Sequence, residues 1–391
     1  MRILVASHTY IVDLNCEKLK ALSELEPEIE VTVVVPRRWR PGGVQNKIIE
    51  TQPYQDGSFR VAPITNFSEN NQGLLTFGAD IIPLLSQFSP HIIQVEQGAK
   101  ALGYAQLITL NQLLGLNAKN LFFTWWNLPY TLKFPASWLE AYNLRHTDGV
   151  IAGNQDGAEI LREHGYQKPI KVMPQLGVNE QRFHSRPQPE LKQKLGIKSH
   201  EFVVGFVGRF VEEKGLLTLG QALSGLQNYP WKWLLVGRGI LQPVLMEKAI
   251  EWGIQDRMIW VESVAHAEVP LYINVMNTLV LPSQTNIQFK TLTSVGWKEQ
   301  FGHVIIEAMA SQVPVIGSNC GEIPHVIEEA GLIFPQGNSA ALKTCIEKLM
   351  TQPELANHLA QLGYERAMSR YTNQALARQV LDFYQELLTG D

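Results

Sequence analysis

Short runs rich in valine and isoleucine alternate with longer segments in which apolar residues recur at helical spacing, and this alternation constrains the chain more than any other feature. A short, continuously apolar run suits a strand buried on both faces, and a helical segment between two such runs supplies the crossover that parallel strands need. The runs form two sets. The first has candidate strands at 3–6, 31–35, 91–95, 121–124, 149–152 and 170–173, with helices at 17–25, 101–114 and 158–163 between them. The second has candidate strands at 202–207, 232–236, 258–261, 278–281, 313–317 and 332–334. Between the sets lies a polar stretch at 184–189 that contains Pro187 and Pro189, and a short helix at 190–195 follows it.

The pattern predicts an α/β chain of two Rossmann-like, doubly wound parallel-sheet domains facing across a cleft, with a hinge near Pro187. The N-terminal domain is expected over 1–185 and the C-terminal domain over 186–373. The final segment, 354–388, is helical in period, and its last part, about 374–391, is expected to complete the first domain. Two domains also suit 391 residues, which exceeds what one hydrophobic core usually organises. In open parallel sheets ligands bind beyond the carboxyl ends of the strands, so the loops there are where chemistry should be sought.

Composition narrows the function classes. The chain is 45% hydrophobic and 18% charged, as in ordinary globular proteins, and no run approaches the roughly 18 apolar residues of a membrane span. A formal charge of -4 gives no global attraction for nucleic acid, which is not expected as a partner. Cys16, Cys320 and Cys345 are odd in number and lack metal-ligand spacing, which suits a reducing compartment and an expected cytoplasmic location. The opening residues, 1–7, read as a buried strand and not as a signal-peptide core.

The strongest chemical signal lies at 298–310, where Glu299 precedes Phe301 and Gly302, and Glu307 falls inside the helix that 304–310 should form. Glycine permits close backbone approach, the free amides of a helix start can receive an anion or a sugar oxygen, and a carboxylate accepts from paired hydroxyls. Two acids in this frame can bracket a ligand. A helix start also favours acids for purely structural reasons. A second cluster follows the 202–207 run: Gly208 and Arg209, then Lys214 before the next helix. Two cations in one strand-to-helix loop can neutralise charge on a leaving diphosphate without a metal, or they can be ordinary solvated surface charges.

With these residues in place, the chain resembles family 4 of the retaining nucleotide-sugar glycosyltransferases, which have the GT-B fold of two Rossmann-like domains. The likeness is sharpest in the second half, including Pro314 to Gly317 and Gly321 to Pro324. It implies a hexosyltransferase moving a sugar from a nucleotide-diphosphate donor to an acceptor hydroxyl of a polysaccharide, glycolipid or small metabolite, with retention. It further implies that Glu299, Arg209 and Lys214 serve the reaction and that Glu307 holds the ribose. The amides near Phe301 and Gly302 would hold sugar and diphosphate beside Gly208, while Ser263 and Val264 would receive the base. The glycine turn at 234–239 matches the family as well, although a glycine after a buried strand is commonly a plain turn. No cofactor is implied beyond the nucleotide sugar as co-substrate. No metal is expected either, since no Asp-X-Asp or His-Glu-X-X-His motif occurs.

The resemblance assigns the acceptor to the N-terminal half, where the match loosens. The family often has a glycine pair after the first strand, but residues 7–15 contain no glycine. Where many members have a histidine that touches the sugar, this chain has Trp126, followed by Asn127. His8, Asp13, Asn15, Trp126 and Asn127 are the acceptor-side candidates, and a lone histidine after a strand is commonly structural. Arg37, Arg38, Trp39 and Arg40 have the composition of an anion site or a lipid-headgroup contact, or of a solvated loop. The polar stretch from Ser283 to Trp297 reads as a flexible loop over the donor. Two other readings remain open. One is a non-hydrolysing nucleotide-sugar epimerase, and the other is a catalytically silent glycosyltransferase-like binding protein, suggested by Trp126 and the missing glycines. A dinucleotide-dependent oxidoreductase is disfavoured because no Gly-X-Gly-X-X-Gly follows the first strand.

Overall fold

The computed structural model describes residues 1–41, 47–262, 264–290 and 294–390. The chain divides into two compact units, one of Met1–Gly177 with Asn373–Asp391 and one of Val178–Thr372.

The first unit carries an eight-stranded sheet. Its strands in chain order are Arg2–Ala6 (β1), Glu30–Pro36 (β2), Tyr54–Asp56 (β3), Phe59–Ile64 (β4), Ile92–Val95 (β5), Lys119–Thr124 (β6), Gly149–Ala152 (β7) and Ile170–Val172 (β8). Their spatial order is β8-β7-β6-β5-β1-β2-β4-β3, parallel throughout except for the outer pair β4 and β3. β1 lies at the centre, and Ile3, Leu4, Val5 and Ala6 are fully buried because helices cover both faces. The Asn373–Thr389 helix packs on one of those faces through Leu376, Val380, Phe383 and Tyr384, so the end of the chain completes the first unit's core.

The second unit carries six parallel strands: Phe202–Val207 (β9), Trp231–Val236 (β10), Met258–Val261 (β11), Thr278–Leu281 (β12), Val315–Ser318 (β13) and Leu332–Phe334 (β14). Their order is β11-β10-β9-β12-β13-β14. The order turns back between β9 and β12, which makes the carboxyl edge there a switch point. Two parallel α/β sheets of eight and six strands therefore occur, and each of the twelve strand segments expected from the sequence coincides with or overlaps one of their strands.

The 283–297 stretch departs from expectation. It forms an antiparallel hairpin of Asn286–Lys290 against Val295–Trp297, with Asn286 opposite Trp297. Alternating polar and apolar residues at 286–290 carry the period of a strand, which the threonine content obscured. Residues 291–293 lie outside the described residues.

Candidate functional site

Three neighbouring loops at the carboxyl edge of the second sheet bring Lys214, Ser283 and Glu299 together. Lys214 ends a 3-10 turn, Glu212–Lys214, that follows β9. Lys214 Nζ lies 2.5 Å from Glu299 Oε2, and Ser283 Oγ, just beyond β12, donates to the same oxygen at 2.7 Å. Trp297 places its ring 5.1 Å from the ammonium. All of this is enclosed: the Lys214 and Glu299 side chains are 15% and 9% exposed, and Ser283 is fully buried.

Backbone contacts fix these loops. Gly215, at φ +67°, has no room for a side chain, since a Cβ there would stand 1.9 Å from the Pro282 carbonyl oxygen. Gln284 N donates to Glu213 O at 2.9 Å, which ties the β9 loop to the β12 loop. Gly321 follows β13 at φ +57°, and its missing Cβ would stand 2.0 Å from Glu299 O, the carbonyl that accepts from Glu322 N at 3.1 Å. Two glycines and two amides thus hold a lysine and a glutamate that lie 85 residues apart in sequence.

The other expected residues are distributed around this cluster. Arg209 is exposed, with Glu213 Oε1 at 4.0 Å as its ion-pair partner. Gly208 N donates to Val236 O and Phe210 N to Arg238 O, so the glycine-containing turn after β10 braces the turn after β9. Glu307 lies in the His303–Ala310 helix, 13% exposed, with Oε1 3.6 Å from His266 Nε2. Gly302 caps that helix at φ +85°, and Phe301 is buried with its ring 5.7 Å from that of Tyr371. Val264 is half-buried, and Ser263 lies outside the described residues. Ser283, His266 and Trp297 were not singled out from the sequence. Only Ser283 had a local signal, two positions beyond an apolar run at a strand's carboxyl end.

In the first unit the candidates fare differently. His8 is half-buried with its ring 4.9 Å from Trp39, and burial pushes its imidazole down to about 4, so it is neutral near pH 7. Asn15 donates from Nδ2 to Thr9 O at 2.8 Å, closing its own loop, while Asp13 is exposed at the start of a 3-10 turn. Trp126 donates from Nε1 to Leu128 O at 2.6 Å, and Asn127 is buried. Lys100 Nζ sits over the rings of Trp126 and Tyr130 at 3.8 and 3.6 Å, and burial lowers its ammonium to about 8.

Near these loops lies a buried polar network. Glu96 accepts from Tyr10 at 2.9 Å, Gln94 at 2.9 Å and Gln175 at 2.6 Å, and Tyr384 of the last helix donates to Gln94. The expected basic and aromatic contact surface at 37–40 needs correction. Trp39 is 3% exposed, Arg37 lies 3.4 Å from Asp80, and Arg38 pairs with Glu50 and Glu69, so the aromatic there belongs to the packing. No helix among the described residues is long and apolar enough to cross a membrane.

Comparison with known proteins agrees with this architecture. Residues 187–366, most of the second unit, match the family described as glycosyl transferases group 1. Alpha-D-kanosaminyltransferase of Streptomyces kanamyceticus is 24% identical over 260 residues, covering 64% of each chain. The capsular polysaccharide biosynthesis glycosyltransferase CapM of Staphylococcus aureus is 29% identical over 205 residues, covering 50% of each. The aligned parts thus span less than two thirds of those relatives' length. Among solved structures, sucrose-phosphate synthase from Thermosynechococcus elongatus superposes with a TM-score of 0.70 at 20% identity, covering 100% of both chains. Anabaena Alr3699/HepE in complex with UDP has a TM-score of 0.70 at 16% identity, covering 98% of this chain and 99% of that one. The chain has the GT-B fold, and its second unit carries the group 1 glycosyl transferase match.

Proposed function

We propose that this protein transfers a hexose from a nucleotide-diphosphate sugar to an acceptor hydroxyl, with retention of configuration and without a metal ion. The second unit binds the donor and the first binds the acceptor. The reading rests above all on the Lys214, Ser283 and Glu299 cluster at the switch point of the second sheet. A lysine already enclosed with a carboxylate is preorganised to meet charge that develops on a departing diphosphate, and Arg209 adds a second, exposed cation. Glu299 then grips sugar hydroxyls, Glu307 the ribose, and the amides at Phe301 and Gly302 the sugar and diphosphate. Gly208 leaves room beside the phosphates, and Ser263 and Val264 receive the base. Similar proteins are named for 2-deoxystreptamine, capsular polysaccharide and L-malate, so the chemistry on the acceptor side differs among them.

The test is a thermal-shift screen of the full chain against UDP-, GDP- and ADP-sugars, followed by an assay of nucleoside diphosphate release. A ligand that binds only the native form, at a hundred times its Kd, adds about 2.7 kcal/mol of stability, so one nucleotide class should raise Tm by several degrees. No stabilisation by any nucleotide sugar would refute the reading. Conversion of the donor alone into a second nucleotide sugar would instead identify an epimerase.

A further inference from the structure

An ammonium taken out of water needs a hydrogen-bond acceptor and a counter-charge, and Lys100 is held without either. Its Nζ is buried and has no hydrogen-bond partner among the described residues. Residues 97–139 contain no aspartate or glutamate that could pair with it. Glu140, the acid whose charge is felt at Lys100, is engaged elsewhere: Oε1 accepts from the Tyr130 hydroxyl and Oε2 lies 3.0 Å from His164 Nδ1.

What surrounds the ammonium is aromatic and fixed. The ring centres of Trp126 and Tyr130 stand 3.8 and 3.6 Å from Nζ, and the two rings meet edge to face at 5.8 Å and 89°. Trp126 is anchored by its indole on Leu128 O and by its amide on Thr124 Oγ1 at 3.1 Å. Fully buried Asn143 donates to Ala99 O at 2.7 Å and to Ala101 O at 3.1 Å, which clamps the backbone on both sides of Lys100. Two further buried polar groups lie on the same loop and on its neighbour. Gln97, 9% exposed, has no partner for Oε1 or Nε2, and neither has Nδ1 of His8, which follows the adjacent strand β1. Buried polar atoms without partners are uncommon in folded proteins, and their concentration on the loops after β1 and β5 marks a place that a ligand completes.

We propose that Lys100, walled by Trp126 and Tyr130, binds an anionic group, a carboxylate or a phosphate, at the carboxyl edge of the first sheet. On the acceptor reading of the first unit, on which this step rests, the acceptor is an anion. The ligand class follows from charge. A neutral hydroxyl would leave the ammonium uncompensated, whereas carboxylate or phosphate oxygens supply both the acceptor and the counter-charge that it lacks. The aromatic walls keep water away and so strengthen that pair. Trp126, which reads from the sequence as the loss of a histidine, thereby acquires a part: its indole is the wall on which a cation from the neighbouring strand's loop rests.

Thermal shift of the full chain with glucose 6-phosphate, malonate and inorganic phosphate, against glucose and chloride at equal ionic strength, tests this. At least one of the three anions should raise Tm by several degrees while glucose does not, and malonate against the two phosphates decides between carboxylate and phosphate. Lys100→Met should bind that anion at least about tenfold more weakly, and Lys100→Arg should keep most of the binding. Without anion, Lys100→Met should melt no lower than the parent, since it removes a charge that nothing compensates. A lower-melting Lys100→Met would instead show the ammonium to be a packing group held by its two rings. That result, an anion shift that Lys100→Met retains in full, or no shift with any of the three anions would each overturn the proposal. Failure here beside a positive nucleotide-sugar screen removes the anion site alone, whereas the reverse leaves the site and takes away the transferase reading.

Discussion

Removing the ammonium from the Lys214–Glu299 pair should expose how stability and turnover are divided at the site. Lys214→Met keeps the length of the side chain and deletes its charge, leaving a 9% exposed carboxylate with Ser283 still donating to Oε2. Breaking one side of a buried ion pair costs about 3–5 kcal/mol, and the residual serine bond with the 15% exposure of Lys214 brings the expected loss to about 2–4 kcal/mol. For a unit of this size that corresponds to a fall in Tm of about 5 to 12 °C. Glu299→Gln alone strands the lysine and should also destabilise. The double variant leaves no uncompensated charge and should recover at least about 1.5 kcal/mol as coupling energy. Urea unfolding followed in parallel by circular dichroism and tryptophan fluorescence measures that coupling. Turnover should behave otherwise: each single change lowers it by about 10²–10³, and the double variant regains none of it. A coupling below about 0.5 kcal/mol would show that the pair is not the organising contact, and restored turnover in the double variant would remove Lys214 and Glu299 from the chemistry.

Gly302→Ala places a side chain at φ +85° with its Cβ 2.7 Å from Leu281 Cδ2, and should cost about 1–3 kcal/mol while displacing the helix-start amides. Thermal unfolding and donor-dependent Tm shifts check both effects, and an unaltered donor shift would dissociate those amides from the ligand. For His8, burial holds the folded-state imidazole at about 4, below its ordinary 6.5, so the unfolded chain takes up the proton first as pH falls. Its contribution is therefore intact above pH 6.5 and is lost progressively down to about pH 4, to the extent of about 3 kcal/mol. His8→Gln should flatten this part of the Tm profile between pH 7 and 4.5, and a profile parallel to the parent's would mean that the imidazole is not buried neutral.

The central strands were legible because each is buried on both faces and so reads as an unbroken apolar run. Phe59–Ile64 escaped notice because Arg60 and Pro63 interrupt its pattern, and Tyr54–Asp56 because an exposed edge strand carries no apolar signature at all. At the site, Glu299 and Lys214 were each visible from local spacing. Their pairing was not, because it depends on β9 and β12 lying side by side, and Ser283 acquires its meaning only from that adjacency.

Trp39 shows the same limit. Trp39 sits among arginines and reads as exposed, yet packing against His8 buries it. Trp138, by contrast, stands 65% exposed. Local composition reports the company a side chain keeps along the chain. Whether a neighbouring element covers it is decided by the crossovers, which leave Phe134 and Trp138 exposed in the first unit.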